Sequence, residues 1–145
     1  MTKEQQEKLI AATKNLVGKP YKYGAGPSEA PNVFDCSSFT QYIFKQVGIK
    51  LPRSSILQAA DQQGQEIKPN KDFSNLEIGD LLFMRGVVGH YNDELFPDRE
   101  IYIGHVAIHI GNSEVIHARQ RGVIIEKLDD VIREPNYNIV YAKRF

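Results

Sequence analysis

Cys36 is the only cysteine in the 145 residues, and two histidines, His105 and His117, follow it by about seventy and about eighty positions on strand-like segments. A thiol paired with imidazole is the material of nucleophilic acyl chemistry: sulfur attacks a carbonyl and histidine handles the proton. Cys36 lies in Phe34-Asp35-Cys36-Ser37-Ser38-Phe39, where a turn-rich stretch gives way to a helical pattern. The first turn of a helix offers unpaired N–H groups and partial positive charge, which stabilise a thiolate and can hold an oxyanion. A free cysteine is most often a small buried hydrophobe. The position directly after Asp35, at a loop-to-helix junction, favours the nucleophile.

Residues two apart on a strand share a face, so His105, Ala107 and His109 point one way and Val106, Ile108 and Ile110 the other. The purely apolar second set is expected against the core, and the first set on a partly open face. Pairing across Gly111 decides whether His117 joins them. A two-residue loop at Asn112-Ser113 pairs Gly111 with Glu114 and puts His117 on the wrong face. A three-residue loop pairs Ile110 with Glu114 and Ala107 with His117, on the face of His105. Catalysis requires the second register. Three histidines on adjacent strands also suit zinc, but no carboxylate or second cysteine completes a ligand motif, so no metal and no cofactor is expected. His90, in a polar stretch, reads as exposed and inert.

The elements that must position these residues follow from periodicity. Lys3 to Val17 carries Leu9, Ala12, Leu16 and Val17 at helical spacing, with Thr2 as cap and Gly18-Lys19-Pro20 as stop. Tyr21 to Val33 is loop chemistry. A second helix runs from Cys36 or Ser37 to Val47, with Asp35 as N-cap and Gly48 beyond its end. Ser54 or Ser55 caps a short helix through Gln63. Strands are expected at Leu81–Met84, Ile101–Ile110, Glu114–Ala118, Val123–Glu126 and Ile139–Lys143. Gly86 to Glu100 reads as a long polar loop, of the kind that is often functional. Helices first and strands second predict an α+β domain, residues 1–145, with helices on one side of an antiparallel sheet.

Bulk properties bound the function. Lys plus Arg number 18 and Asp plus Glu 18, so the chain lacks the basic excess of a nucleic-acid binder. No apolar run is long enough to span a membrane. The N-terminal residues carry no signal-peptide core, so the location stays open between cytoplasm, phage-borne delivery and a domain of a longer secreted protein.

Several short motifs then coincide in order: Tyr21-Lys22-Tyr23-Gly24, Asp35-Cys36-Ser37-Ser38, Leu51-Pro52-Arg53, Gln58, Gly79-Asp80-Leu81-Leu82-Phe83, His105 through Gly111, and Ile116-His117-Ala118. Over Gly18 to Ala118 the set resembles the NlpC family of cell-wall cysteine peptidases. The resemblance implies a papain-like α+β fold with the nucleophile's helix packed on a small antiparallel sheet. It implies Cys36 as nucleophile, His105 as general base and His117 as the residue that orients it, in an enzyme acting on peptidoglycan fragments or muropeptides, typically after γ-D-glutamate; the chain is expected to be a monomer. Tyr23, Asp35 and Ser37 match positions lining the substrate cleft. Asp35 would bind a substrate amine or simply cap the helix; Tyr23 would donate to the oxyanion or pack. The chain departs from the family pattern at Ser38, where glycine is usual, at Gly24-Ala25-Gly26, and in the length of Gly86 to Glu100, a candidate wall or lid. Arg119 and Arg121 read as solvated. Two alternatives share the scaffold: an amidase or acyltransferase on another substrate, and a catalytically inactive binding module.

Overall fold

Leu81, Phe83, Val106, Ile108, Ile116, Ala118 and Val123 pack into one apolar cluster, while Leu82, Met84, Ala107, Val115 and Ala142 pack into another. That alternation is the signature of a sheet buried on both faces. In the computed structural model, which describes residues 1–92 and 94–145, the sheet has six antiparallel strands. They are β1 (Gln65–Glu66), β2 (Leu81–Met84), β5 (His105–Gly111), β6 (Glu114–Arg119), β7 (Gly122–Lys127) and β8 (Ile139–Arg144), in the order β1-β8-β2-β5-β6-β7. A separate two-residue hairpin pairs β3 (His90–Tyr91) with β4 (Tyr102–Ile103).

Three helices supply the first cluster. Helix α1 (Lys3–Lys14) begins at a capping box between Thr2 and Gln5 and buries Leu9. It stops three residues short of the expected Val17, which is half exposed and gains nothing from a further turn. Helix α2 (Cys36–Gln46) buries Phe39, Ile43 and Phe44 against β5 and β6. Helix α3 (Ser55–Ala60) ends before the expected Gln63. The opposite face is covered by α4 (Leu128–Arg133), an element the sequence reading left out; Leu128 and Val131 bury against Val115 and Ala107. Helices therefore lie on both sides of the sheet. The face of His105, Ala107 and His109, expected to be partly open, is buried.

The β5–β6 hairpin settles the register. Asn112 (φ 51°) and Ser113 (φ 54°) are both left-handed, as a two-residue type I′ turn requires, and Gly111 pairs with Glu114. That connection alone would misplace His117. A bulge between His109 and Gly111 then shifts the pairing by one, so that His109 faces Val115 and Ile108 faces Ile116. Beyond the bulge the register is the one that puts His117 on the face of His105. The turn expectation was incomplete because a bulge leaves no mark in turn composition.

Gly86 to Glu100 is less irregular than expected, since its middle forms β3. Phe96 packs edge-on against Tyr141 of β8, with ring centroids 5.3 Å apart, and Arg99 pairs with Glu66 of β1 at 2.8 Å. The segment flanks the β8 side of the sheet; the part of the lid expectation that falls on Asp93 lies outside the described residues. His90 is exposed, as read. Among the described residues no helix is long and apolar enough to cross a membrane.

Candidate active site

Asp35 sets the tip of α2. Its Oδ1 accepts the Ser38 amide at 2.8 Å, and Ser38 Oγ accepts the Asp35 amide at 2.9 Å, closing a capping box. Serine at position 38, where the family pattern has glycine, thus has a structural use. Oδ2 accepts the Gly24 amide at 3.0 Å and Arg53 Nη2 at 2.7 Å, while the Ser37 hydroxyl leans on Oδ1 at 3.5 Å. Burial opposes ionisation of Asp35, but Arg53 and the Ser38 amide outweigh it and hold the carboxyl below its ordinary range. The acceptor positions of Asp35 are filled within the chain, which is the capping arrangement of the two weighed above. Ser37 is buried beneath it, accepting Arg53 Nη1 at 2.8 Å. Gln58, fully buried, donates to the carbonyls of Ser37 and Pro52. The motifs Gly24, Leu51-Pro52-Arg53 and Gln58 are therefore the clamp that fixes the first turn of α2.

Cys36 begins that turn, partly buried against the first cluster. Backbone N–H groups of Val106 and Ser37 donate toward its sulfur. The Val106 amide belongs to the peptide joining it to His105, so the thiol lies against the start of β5. Burial and then Asp35 push the thiol up to about 11, and those amides and Arg53 only partly oppose this. The expected lowering by the helix terminus is outweighed, and the resting sulfur is protonated.

His105 Nε2 and His117 Nδ1 lie 2.8 Å apart, and His117 Nε2 lies 2.6 Å from Glu126 Oε2. Burial lowers the pKa of His105 well below the ordinary value, and the neighbouring His117 and Arg119 add to this. Burial likewise lowers His117, against the pull of Glu126. Glu126 is held down at about 2 by its bond to His117 and then by Arg119. His105 Nδ1 makes no hydrogen bond among the described residues. The ring of Tyr137 packs edge-on against His105 at 5.3 Å.

Sequence reasoning missed several groups here. Glu126 was read only as a strand residue, although its alternation with Ile124 on β7 and the pairing of His117 with Ile124 set it beside His117. Arg119 is not solvated: it is largely buried, bonds Glu126 at 2.9 Å and Glu134 at 2.7 Å, and lies over the Tyr137 ring. Arg121 is exposed yet paired with Glu126 at 2.9 Å. The tyrosine beside the sulfur is Tyr21, whose hydroxyl is pushed up to about 12 by burial and then by Cys36 and Asp35. Tyr23 is 72% exposed and its hydroxyl makes no hydrogen bond among the described residues. His109 stays out of the site, its Nδ1 donating to the Glu77 carbonyl at 3.0 Å. Among the described residues no three His, Cys, Asp or Glu side chains are grouped to hold a metal ion.

The same groups make the fold acid-sensitive. Both histidines have lowered folded-state pKa values, so below pH ~6.5 the unfolded chain binds protons that the native one refuses, and stability falls. Glu126 adds a second loss, beginning below its unfolded value of 4.5 and continuing toward 2. Thermal melts should show Tm steady between pH 7 and about 8 and falling from pH 6.5 to 4, with a shallower fall between 6.5 and 5 in His117→Gln. A Tm independent of pH across that window would contradict the assigned environment.

The arrangement has counterparts. A family model described as the NlpC/P60 family matches residues 18–141. The chain is 36% identical over 120 residues to a probable endopeptidase p60 of Listeria grayi, covering 83% of this chain and 19% of that protein. It is 37% identical over 125 residues to a gamma-DL-glutamyl hydrolase of Bacillus subtilis, covering 82% of this chain and 25% of that protein. The chain thus spans about a fifth to a quarter of these curated relatives. The solved NlpC/p60 domain of the peptidoglycan hydrolase SagA superposes with a TM-score of 0.69 at 25% identity, covering 97% of this chain and 98% of that one. Helices packed on an antiparallel sheet in this order are the papain-like fold of such domains.

Proposed function

We propose, since the chain belongs to the NlpC/P60 family, that it is a cysteine peptidase hydrolysing an amide bond in peptidoglycan stem peptides, after γ-D-glutamate. The observation that carries this reading is the Nε2–Nδ1 contact of 2.8 Å between His105 and His117, with the thiol against the peptide that begins β5. The names of the relatives, an endopeptidase and a γ-glutamyl hydrolase, support the bond class.

The neutral resting pair dictates how the reaction starts. The Cys36 proton passes to His105 Nδ1 as sulfur attacks the carbonyl carbon, so charge separates only when substrate is present. The Cys36 amide at the helix tip and the Tyr21 hydroxyl are the donors this reading assigns to the developing oxyanion. Collapse breaks the C–N bond, and the amine leaves with the proton from His105. Water then gives a proton to His105 and its oxygen to the thioester carbon, releasing the carboxylate and restoring the thiol. His117 keeps the base oriented throughout.

Digestion of muropeptides of defined stem length, read by mass spectrometry, tests this. The expected products carry a new γ-D-glutamyl carboxylate and a new amine on the following residue. Release of the same stem at another bond would shift the reading to a different amidase. No product from any stem, alongside hydrolysis of an unrelated amide or ester, would replace it with the alternative use of the same triad.

A further inference from the structure

We infer that Glu126 is a positioning residue whose carboxylate, acting through His117, dictates which nitrogen of His105 carries the proton; this rests on the reading of His105 as the base. An ionised carboxylate can only accept hydrogen bonds. Glu126 accepts Arg119 Nη1 at 2.9 Å on Oε2 and Arg121 Nη2 at 2.9 Å on Oε1. His117 Nε2, 2.6 Å from the same Oε2, must therefore be the donor. A neutral imidazole has one N–H, so His117 Nδ1 is left as an acceptor. The only donor within its reach among the described bonds is His105 Nε2 at 2.8 Å. His105 then has its lone pair on Nδ1, the nitrogen free to receive the thiol proton.

Removing the carboxylate takes away the reason for this order. His117 could then protonate Nδ1, donate to His105 Nε2, and leave His105 with its proton on Nδ1, where it cannot act as a base. Glu126 is itself held from both sides. Arg119 Nη1 bridges it to Glu134 at 2.7 Å, and the guanidinium lies 4.6 Å from the centre of the Tyr137 ring that packs on His105. The chain of fixed groups thus returns to the histidine it orients.

Two substitutions separate orientation from charge. In Glu126→Gln the amide oxygen takes the Oε2 position, because both His117 and Arg119 donate there, and the NH2 faces the exposed Arg121, which can move away. The acceptor survives and the charge does not. In Glu126→Leu the acceptor is lost with little change of volume. Imidazole ¹⁵N NMR at neutral pH should show Nε2–H on both His105 and His117 in the wild type and in Glu126→Gln, and a mixture with Nδ1–H in Glu126→Leu. Turnover of the stem peptide should fall about 10- to 100-fold in Glu126→Leu with KM unchanged, and by less than about fivefold in Glu126→Gln. A wild-type spectrum with the His117 proton on Nδ1 would overturn the inference, as would wild-type tautomers in Glu126→Leu. If the wild type hydrolyses nothing, the proposed function fails while the spectra still decide the role of Glu126. If Glu126→Leu does not fold, the wild-type and Glu126→Gln spectra decide it.

Discussion

Cys36→Ala should leave no measurable hydrolysis, and His105→Ala should lower kcat on the order of 10⁴-fold or more, with both proteins folded. Cys36 is only partly buried and its sulfur meets only the backbone amides of Val106 and Ser37, so alanine costs little packing. The pH behaviour of the free thiol is the sharper expectation. With Cys36 raised to about 11 and His105 lowered, the resting pair is thiol and imidazole rather than thiolate and imidazolium. Alkylation of free enzyme by iodoacetamide should therefore climb steadily through pH 8 to 10 with no plateau near neutrality. A plateau reached by pH ~7 would show a preformed ion pair and defeat the neutral-pair account. Slow alkylation is not a sign of an inactive module here, because substrate binding, not the free thiol, starts the proton transfer. Hydrolysis by wild type beside a silent Cys36→Ala is what distinguishes enzyme from binding module.

Gly104→Ala should destabilise the protein by about 3 kcal/mol or more and impair whatever activity remains. A Cβ at this position would lie 2.1 Å from the Val88 carbonyl oxygen and 2.7 Å from that of Arg85. Both obstacles are backbone, so no side chain can swing aside. Relief must come from moving the 85–89 turn or the first residue of β5, which is His105. The Gly104 amide also donates to the Met84 carbonyl at 3.1 Å, so the strand cannot retreat without losing a ladder bond. A fall in Tm of roughly 10 °C is expected. Gly26→Ala is the control: its backbone is extended, and the nearest atom to the added methyl is a Glu29 carboxylate oxygen at 3.7 Å. Equal melting of Gly104→Ala and wild type would mean that this contact is looser than described.

The helix carrying Cys36 was legible because its signals are local: Asp35 as cap, Phe39 and Ile43 as stripe, Gly48 as stop. The long strands were legible because runs such as Val106 to Ile110 tolerate no other element. The pairing of His105 with His117 could be posed from sequence only as a choice between two registers. Helix α4 escaped because its six residues carry little more than one turn of pattern, and its burial comes from the sheet it covers. Glu126 and Arg119 escaped for a different reason. A charged residue on a strand reads as solvated unless its cross-strand partner is known, and their partners are supplied by β6 and by the Glu134–Tyr137 loop. Tyr21 and Tyr23 are two residues apart in one motif, and only the fold tells which of them turns inward.

The bulge at Ile110 has a consequence for how this hairpin can vary. Hairpin tips ordinarily gain and lose residues at little cost. Here the two-residue turn is correct only because one surplus residue sits behind it. Were Ile110 drawn into the ladder opposite Val115, His117 would be carried through to the face covered by α2 and Ile116 exchanged into its place. Deleting Ile110 would instead leave Gly111 opposite Glu114 and His109 opposite Val115 in an unbroken ribbon, with His117 still on the face of His105. This surface ribbon should therefore accept the loss of that one residue, whereas any change that straightens the strand with Ile110 in place should abolish the meeting of the two imidazoles.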